Sequence, residues 1–308
     1  MPTSEPTFPL VPRRRLIGLS FGGMKSARRG IGYDVAGSRP YHPGDDVDTI
    51  DWNASARLSS ARGADEFIVR QSFADEAPRV VVLCDRRPEM APLDAPLPWL
   101  DKAKAMREAV ELICESAALA RGFIGYLDLA SGEPFWRPPK SERELWEIKE
   151  RHLAWPDFEA PEDTLSLAID HLTQHRVSLP PGSFVFVLSD FQRPPAEEEW
   201  LQTMDFLWDV VPVVIQDPVW EQSFPEEVAG LIVPFRDPRT GRTASVRLTA
   251  REARARREAN EARLAGLVDG FVSLDLEPVV VSSSDPDDIL ASFLSWTEQR
   301  LYRRGRPG

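Results

Sequence analysis

Two apolar runs, each closing on an aspartate, restrict the possible fold of this chain more than anything else in it. They are Arg79-Val80-Val81-Val82-Leu83-Cys84-Asp85 and Ser183-Phe184-Val185-Phe186-Val187-Leu188-Ser189-Asp190. A strand with one wet face alternates apolar and polar letters. An unbroken run instead marks a strand buried on both faces, as in the middle of a parallel sheet. Between and after the runs the period changes. Lys102 to Arg121 places Met106, Ala109, Val110, Ile113 and Ala117 on one helical stripe, with Gly122 as a stop. Phe123 to Leu129 reads as a strand, Glu142 to His152 as a short helix, and Glu162-Asp163-Thr164 as the start of another. Glu197 to Trp208 is helical and Val210 to Gln216 a further strand. This alternation predicts an α/β fold with a mostly parallel sheet and helices on both faces.

The remaining segments divide the chain as follows. Residues 1–20 form a flexible lead, 21–78 a glycine-rich region poor in periodicity, and 79–220 the α/β core. Within residues 221–270, Leu231 to Phe235 and Ala244 to Leu248 flank Asp237-Pro238-Arg239-Thr240-Gly241, which predicts a hairpin. A charged helix follows over Ala250 to Leu267. Residues 271–308 supply a last strand, Phe271 to Val281, and a closing helix from Asp285-Pro286.

Nine tryptophans and 42% hydrophobic residues among 308 are ample for a core. The net charge of −12 repels nucleic acid and anionic lipid. Cys84 and Cys114 sit in apolar runs, which suits buried thiols of a reducing compartment. No run of eighteen apolar residues exists, and MPTSEPTFPLVPRRR lacks the apolar stretch of a signal peptide. A cytoplasmic protein is expected.

The stretch Arg39 to Arg57, RPYHPGDDVDTIDWNASAR, carries Asp45, Asp46, Asp48 and Asp51 within seven positions. Such carboxylates repel one another unless arginines, hydrogen bonds or a cation hold them. Arg39 and Arg57 flank them, so a loop braced by ion pairs is expected, with Trp52 packed. His42 is near, but a histidine beside a turn is ordinarily structural. His171 and His175 lie one helical turn apart without an H-E-x-x-H, and read as exposed helix residues. No phosphate-binding loop, nucleophile elbow or dinucleotide fingerprint is present.

The same stretch resembles the signature of the bacterial domain of unknown function 58 family, R-x-Y-x-x-G-D-D-x-x-x-I-D-W-x-x-x-A-R. Every fixed letter is in place, among them Arg39, Tyr41, Gly44, Asp45, Asp46, Asp51, Trp52 and Arg57. The resemblance covers roughly residues 20 to 300 and implies a core similar to a von Willebrand factor type A domain, a Rossmann-type fold. Such domains hold Mg²⁺ at a metal-ion-dependent adhesion site, D-x-S-x-S with a threonine and a second aspartate. Asp85, Thr164 and Asp190 match three of those places, whereas Arg87 and Glu89 stand where the serines belong. A guanidinium cannot ligate a cation. Arg87 is expected to pair with Asp85 and Asp190 in the ion's place, and to meet a partner's acid directly. Glu89 either ligates or pairs with Arg86 or Arg87.

Two functions follow as expectations. In the first the chain is a non-enzymatic adaptor without a cofactor. The resemblance implies a MoxR-type AAA+ ATPase as partner, acting on an unknown client protein. In the second it is a divalent-metal-dependent hydrolase using Asp85, Glu89 and Asp190, or the Asp45 to Asp51 carboxylates. The absence of an activated nucleophile favours the first.

Overall fold

A computed structural model of the chain describes residues 6–13, 35–41, 50–62, 67–72, 77–92, 99–140 and 157–304. The chain forms two compact units, Arg15–Ala77 and the remainder, Met1–Arg14 with Pro78–Gly308. The helix expected over Glu142 to His152 lies outside the described residues.

In the smaller unit, β1 (Val35–Pro40), α1 (Trp52–Arg62) and β2 (Ile68–Ser72) follow in order. The strands pair antiparallel, with Arg39 opposite Val69 and Pro40 opposite Ile68. α1 has no apolar stripe, so periodicity could not have found it. Its start is nevertheless written in Asp51, whose Oδ1 accepts the backbone N–H of Ala54 at 3.0 Å as an N-cap does. Ser55 Oγ donates to the Asp51 carbonyl at 2.7 Å and accepts the Ile68 N–H at 2.8 Å, joining α1 to β2. Asp51→Ala should cost about 0.5–2 kcal/mol and speed amide exchange across Ala54 to Ser59. Unchanged exchange there would remove the cap.

The larger unit opens with β3 (Arg79–Cys84), α2 (Lys102–Leu119), β4 (Phe123–Asp128) and β5 (Phe135–Arg137). Then come α3 (Thr164–Gln174), β6 (Phe184–Ser189), α4 (Glu197–Asp205) and β7 (Asp209–Ile215). β8 (Ile232–Arg236) and β9 (Thr243–Arg247) form a separate hairpin, followed by α5 (Ala250–Ser273), β10 (Val279–Val281) and α6 (Pro286–Arg304). The main sheet has the order β10-β7-β6-β3-β4-β5. All its pairings are parallel except β4 with β5. Successive strand residues face opposite sides. Val80 and Val82 pack with Met106, Ala109 and Ile113 of α2 and with Ile289, Phe293 and Trp296 of α6. Val81 and Leu83 pack with Leu165 and Ile169 of α3, Trp200 of α4 and Phe271 of α5. The chain is therefore a mixed α/β protein with a mostly parallel sheet between helices.

Three expectations change. β5 is an unforeseen antiparallel edge, and Gly125 permits its approach, since a Cβ there would meet the Arg137 carbonyl at 2.7 Å. The strand expected from Phe271 begins only at Val279, because Phe271 continues the inner stripe of α5 with Leu264 and Leu267. The helix therefore crosses the expected division at residue 270. The lead, finally, is anchored over residues 6–13. Phe8 is buried, stacked on Phe293 at 4.7 Å, and its N–H donates to Ser116 Oγ at 3.0 Å. The Arg13 N–H donates to Asp209 Oδ2 at 2.6 Å, and Arg300 Nη1 to the Val11 carbonyl at 2.8 Å. Cys84 and Cys114 are buried and not joined in a disulfide. Among the described residues, no helix is long and apolar enough to cross a membrane.

Candidate functional site

The carboxyl ends of β3 and β6 deliver Asp85 and Asp190 side by side, and both are 0% exposed. Arg87, three residues beyond β3, turns back between them. Its Nε lies 3.0 and 2.9 Å from the two oxygens of Asp85, and its Nη2 lies 2.5 Å from Asp85 Oδ2 and 3.0 Å from Asp190 Oδ1. Asp85 Oδ1 also accepts the Arg87 backbone N–H at 3.0 Å, and Asp85 Oδ2 the Ser189 hydroxyl at 2.6 Å. Arg87 is 1% exposed. It thus lies where a partner's acid cannot reach it, contrary to the expectation that it would meet one.

A second cation completes the cluster. Lys102, the first residue of α2, donates from Nζ to Asp190 Oδ2 at 3.0 Å, to Glu221 Oε1 at 2.5 Å and to the Glu89 carbonyl at 3.3 Å. Glu221 in turn accepts the Asp217 N–H at 2.8 Å, and Gln216 Nε2 donates to the Asp190 carbonyl at 2.5 Å. Burial alone would raise the pKa of Asp190, but Lys102 and Arg87 outweigh it and hold the carboxyl below its ordinary value. Burial would likewise lower the pKa values of Arg87 and Lys102, yet Asp85 raises the first and Asp190 with Glu221 the second. Burial pushes Glu221 up despite Lys102. Asp190, Arg87 and Lys102 therefore stay charged at neutral pH, and none of the three is poised to exchange a proton there.

The other expected residues are arranged differently. Thr164 is buried at the start of α3, and no hydrogen bond ties its hydroxyl to either aspartate among the described residues. Glu89 pairs with neither Arg86 nor Arg87. Its oxygens take Arg239, from the hairpin loop, at 2.7 and 3.2 Å. Arg239 also approaches Glu162 at 3.7 Å, and Glu162 pairs with Arg193. Glu162, Asp163, Leu165, Ser166, Arg193 and Pro194 line a cleft of about 290 Å³ there. Gly44, Asp45, Asp46, Asp48 and His42 lie outside the described residues, as does the side chain of Arg39. Asp51 caps α1, and Arg57 is exposed. Trp52, expected to be packed, is 58% exposed; as the first residue of a helix without an apolar stripe it meets Phe67 edge-on at 6.0 Å, and Phe67 meets Tyr41 at 6.4 Å. His171 and His175 stack on each other at 4.1 Å.

Sequence reasoning missed Lys102, Ser189, Glu221 and Arg239. Only Lys102 left a signal, because a lysine in the first turn of a helix opposes the helix dipole and asks for an acidic neighbour.

The model of a family described as "Protein of unknown function DUF58" matches residues 37–265. The chain belongs to that family. Solved structures similar to this DUF58 chain include the conserved hypothetical protein BatB from Bacteroides thetaiotaomicron. It shares 18% identity over 73% of this chain and 99% of that one, at a TM-score of 0.41. An aerotolerance-related membrane protein from Bacteroides fragilis NCTC 9343 shares 16% identity over 73% and 99%, at 0.43. An uncharacterized membrane spanning protein from Vibrio fischeri shares 13% over 74% and 100%, at 0.21. Likenesses this distant assign no role or location to any DUF58 residue here. No curated protein matches the chain.

Proposed function

We propose that this chain is a non-enzymatic protein-interaction adaptor of the cytoplasm, with a von Willebrand factor A-like core whose cation place is filled by protein charges. The observation that carries the reading is Arg87, buried between Asp85 and Asp190 and bonded to both. A divalent cation at such a site takes oxygen ligands. Here both oxygens of Asp85 are engaged by the guanidinium, those of Asp190 by Arg87 and Lys102, and those of Glu89 by Arg239. The residues present do not fit Mg²⁺. Docking then runs through the rim of Glu89, Glu162, Arg193 and Arg239 rather than through a shared metal ion. A MoxR-type AAA+ ATPase, working on a client protein, is the partner implied by the family resemblance.

Two measurements test this. Calorimetric titration of the purified chain with Mg²⁺ should give no micromolar binding isotherm. The immobilised chain, stripped with EDTA and washed, should capture the ATPase as well as the untreated chain does. Micromolar Mg²⁺ binding that Asp190→Ala abolishes would overturn the reading in favour of a metal-dependent hydrolase.

A further inference from the structure

The hairpin β8–β9 is a two-stranded sheet of its own, so each strand has one edge with no strand beside it among the described residues. Its register places Val233 opposite Val246 and Phe235 opposite Ala244. Those four share one face, where Val233 is buried. Ile232 with Arg247, Pro234 with Ser245, and Arg236 with Thr243 share the other. That face is open. Four of the five residues of β9 are exposed, and Ile232 is 70% exposed.

Charge on this hairpin runs against the acidic balance of the whole chain. Residues 229–249 carry Arg236, Arg239, Arg242 and Arg247 against Asp237 alone, within a chain of net charge −12. Asp237 is spent on the turn. Its Oδ1 accepts the Arg239 N–H at 2.9 Å and its Oδ2 the Thr240 hydroxyl at 2.7 Å, while Gly241 supplies the left-handed φ of +68°. The Asp237 N–H donates to the Arg242 carbonyl at the tip, and the Gly230 N–H to the Leu248 carbonyl at the base, each at 2.8 Å. Arg239 fastens the tip to Glu89. Fastened in this way, the ribbon loses little freedom on binding. Arg242 makes no side-chain hydrogen bond or ion pair among the described residues.

An exposed edge is a template for another strand unless charge turns that strand away. Arginines repel a basic strand and attract an acidic one. We infer that β9 is a docking edge for an extended, acidic polypeptide segment of a partner protein. The segment adds as a third strand. On the open face a carboxylate meets Arg247, whose Nε also donates to the Gly230 carbonyl at 2.8 Å, and an apolar side chain covers Ile232, while a second carboxylate meets Arg242 beside the turn. β9 is the edge rather than β8 because Pro234 lacks an N–H and interrupts the donor row of β8. Nucleic acid and anionic lipid fit less well, since the rest of the chain is more negative than the whole and repels polyphosphate at long range. The inference is independent of the Arg87 cluster.

The test uses the whole protein and a fluorescein-labelled twelve-residue peptide of glutamate, threonine and valine, with glutamates on both faces of the extended strand, read by anisotropy. Binding should weaken at least tenfold in Arg242→Glu/Arg247→Glu, whose fold circular dichroism would verify. It should weaken as much when alternate peptide nitrogens are methylated, because strand addition needs those N–H groups. Failure of the unmethylated peptide to bind would overturn the inference. So would equal binding of the methylated peptide, or tighter binding of a twelve-nucleotide single-stranded DNA or of phosphatidylglycerol vesicles. None of these outcomes depends on Mg²⁺ or on the ATPase, so failure here is distinguishable from failure of the proposed function.

Discussion

Arg87→Ala should cost the larger unit about 3–5 kcal/mol, the range for removing one partner of a buried ion pair. Both Asp85 and Asp190 are fully buried, and the substitution takes most of the donors of Asp85 and one of those of Asp190. The Ser189 hydroxyl and the residue-87 backbone N–H remain on Asp85, at 2.6 and 3.0 Å, and the Lys102 ammonium and the Gln192 N–H on Asp190, each at 3.0 Å, so a single cation is left against two carboxylates. Urea unfolding at pH 7 measures the loss. The triple variant Asp85→Asn/Arg87→Met/Asp190→Asn removes the charges together and should cost far less than Arg87→Ala alone. If the two cost the same, the guanidinium is filling space rather than balancing charge. The sign of the pH effect is also fixed. Asp190 sits below its ordinary pKa of 3.8, so its share of stability is complete above that pH and is lost as the pH falls through the lower, folded value. The gap between wild type and Arg87→Ala should therefore be full at pH 7 and narrow below pH 3.8.

The central sheet was legible because β3 and β6 are buried on both faces, which leaves unbroken apolar runs in the sequence. β5 was not, because Phe135-Trp136-Arg137 is a three-residue edge whose pairing is set by tertiary approach to Gly125. The aspartates of the cluster were visible as run-ending acids, and Arg87 as the departure from a serine. Glu221 was not visible. It lies in the irregular segment after β7, 119 residues from Lys102, and no local pattern encodes a contact that distant. Arg239 is similar: it looked like a turn residue, and only folding brings it to Glu89, 150 positions away. α1 escaped notice for another reason. Its Asp51 cap was in plain view, but Asp51 was read together with Asp45, Asp46 and Asp48, which lie outside the described residues and leave the ion-pair reading untouched, and a helix without an apolar stripe gives periodicity nothing to detect.

Proline and arginine made residues 1–20 look like a solvated lead, and Phe8→Ala decides how much that composition concealed. Phe8 is 2% exposed. It stacks on Phe293 at 4.7 Å and meets Trp296 and Phe186 edge-on at 5.9 and 6.3 Å. Truncating a buried phenylalanine typically costs about 3–5 kcal/mol, through lost transfer energy and the cavity left behind. Phe8→Leu keeps most of the volume and should cost under about 1.5 kcal/mol. Hydrogen bonds at the Phe8 N–H, the Pro9 and Val11 carbonyls, and the Arg13 N–H and guanidinium hold the strap beside that ring. A chain beginning at residue 14 should therefore be at least as unstable as Phe8→Ala, and should also free Arg300 of its bond to Val11. A lead that merely trails in solvent requires both changes to leave the urea midpoint where it was. The anchored strap requires both to lower it, with Phe8→Leu falling between them and the wild type.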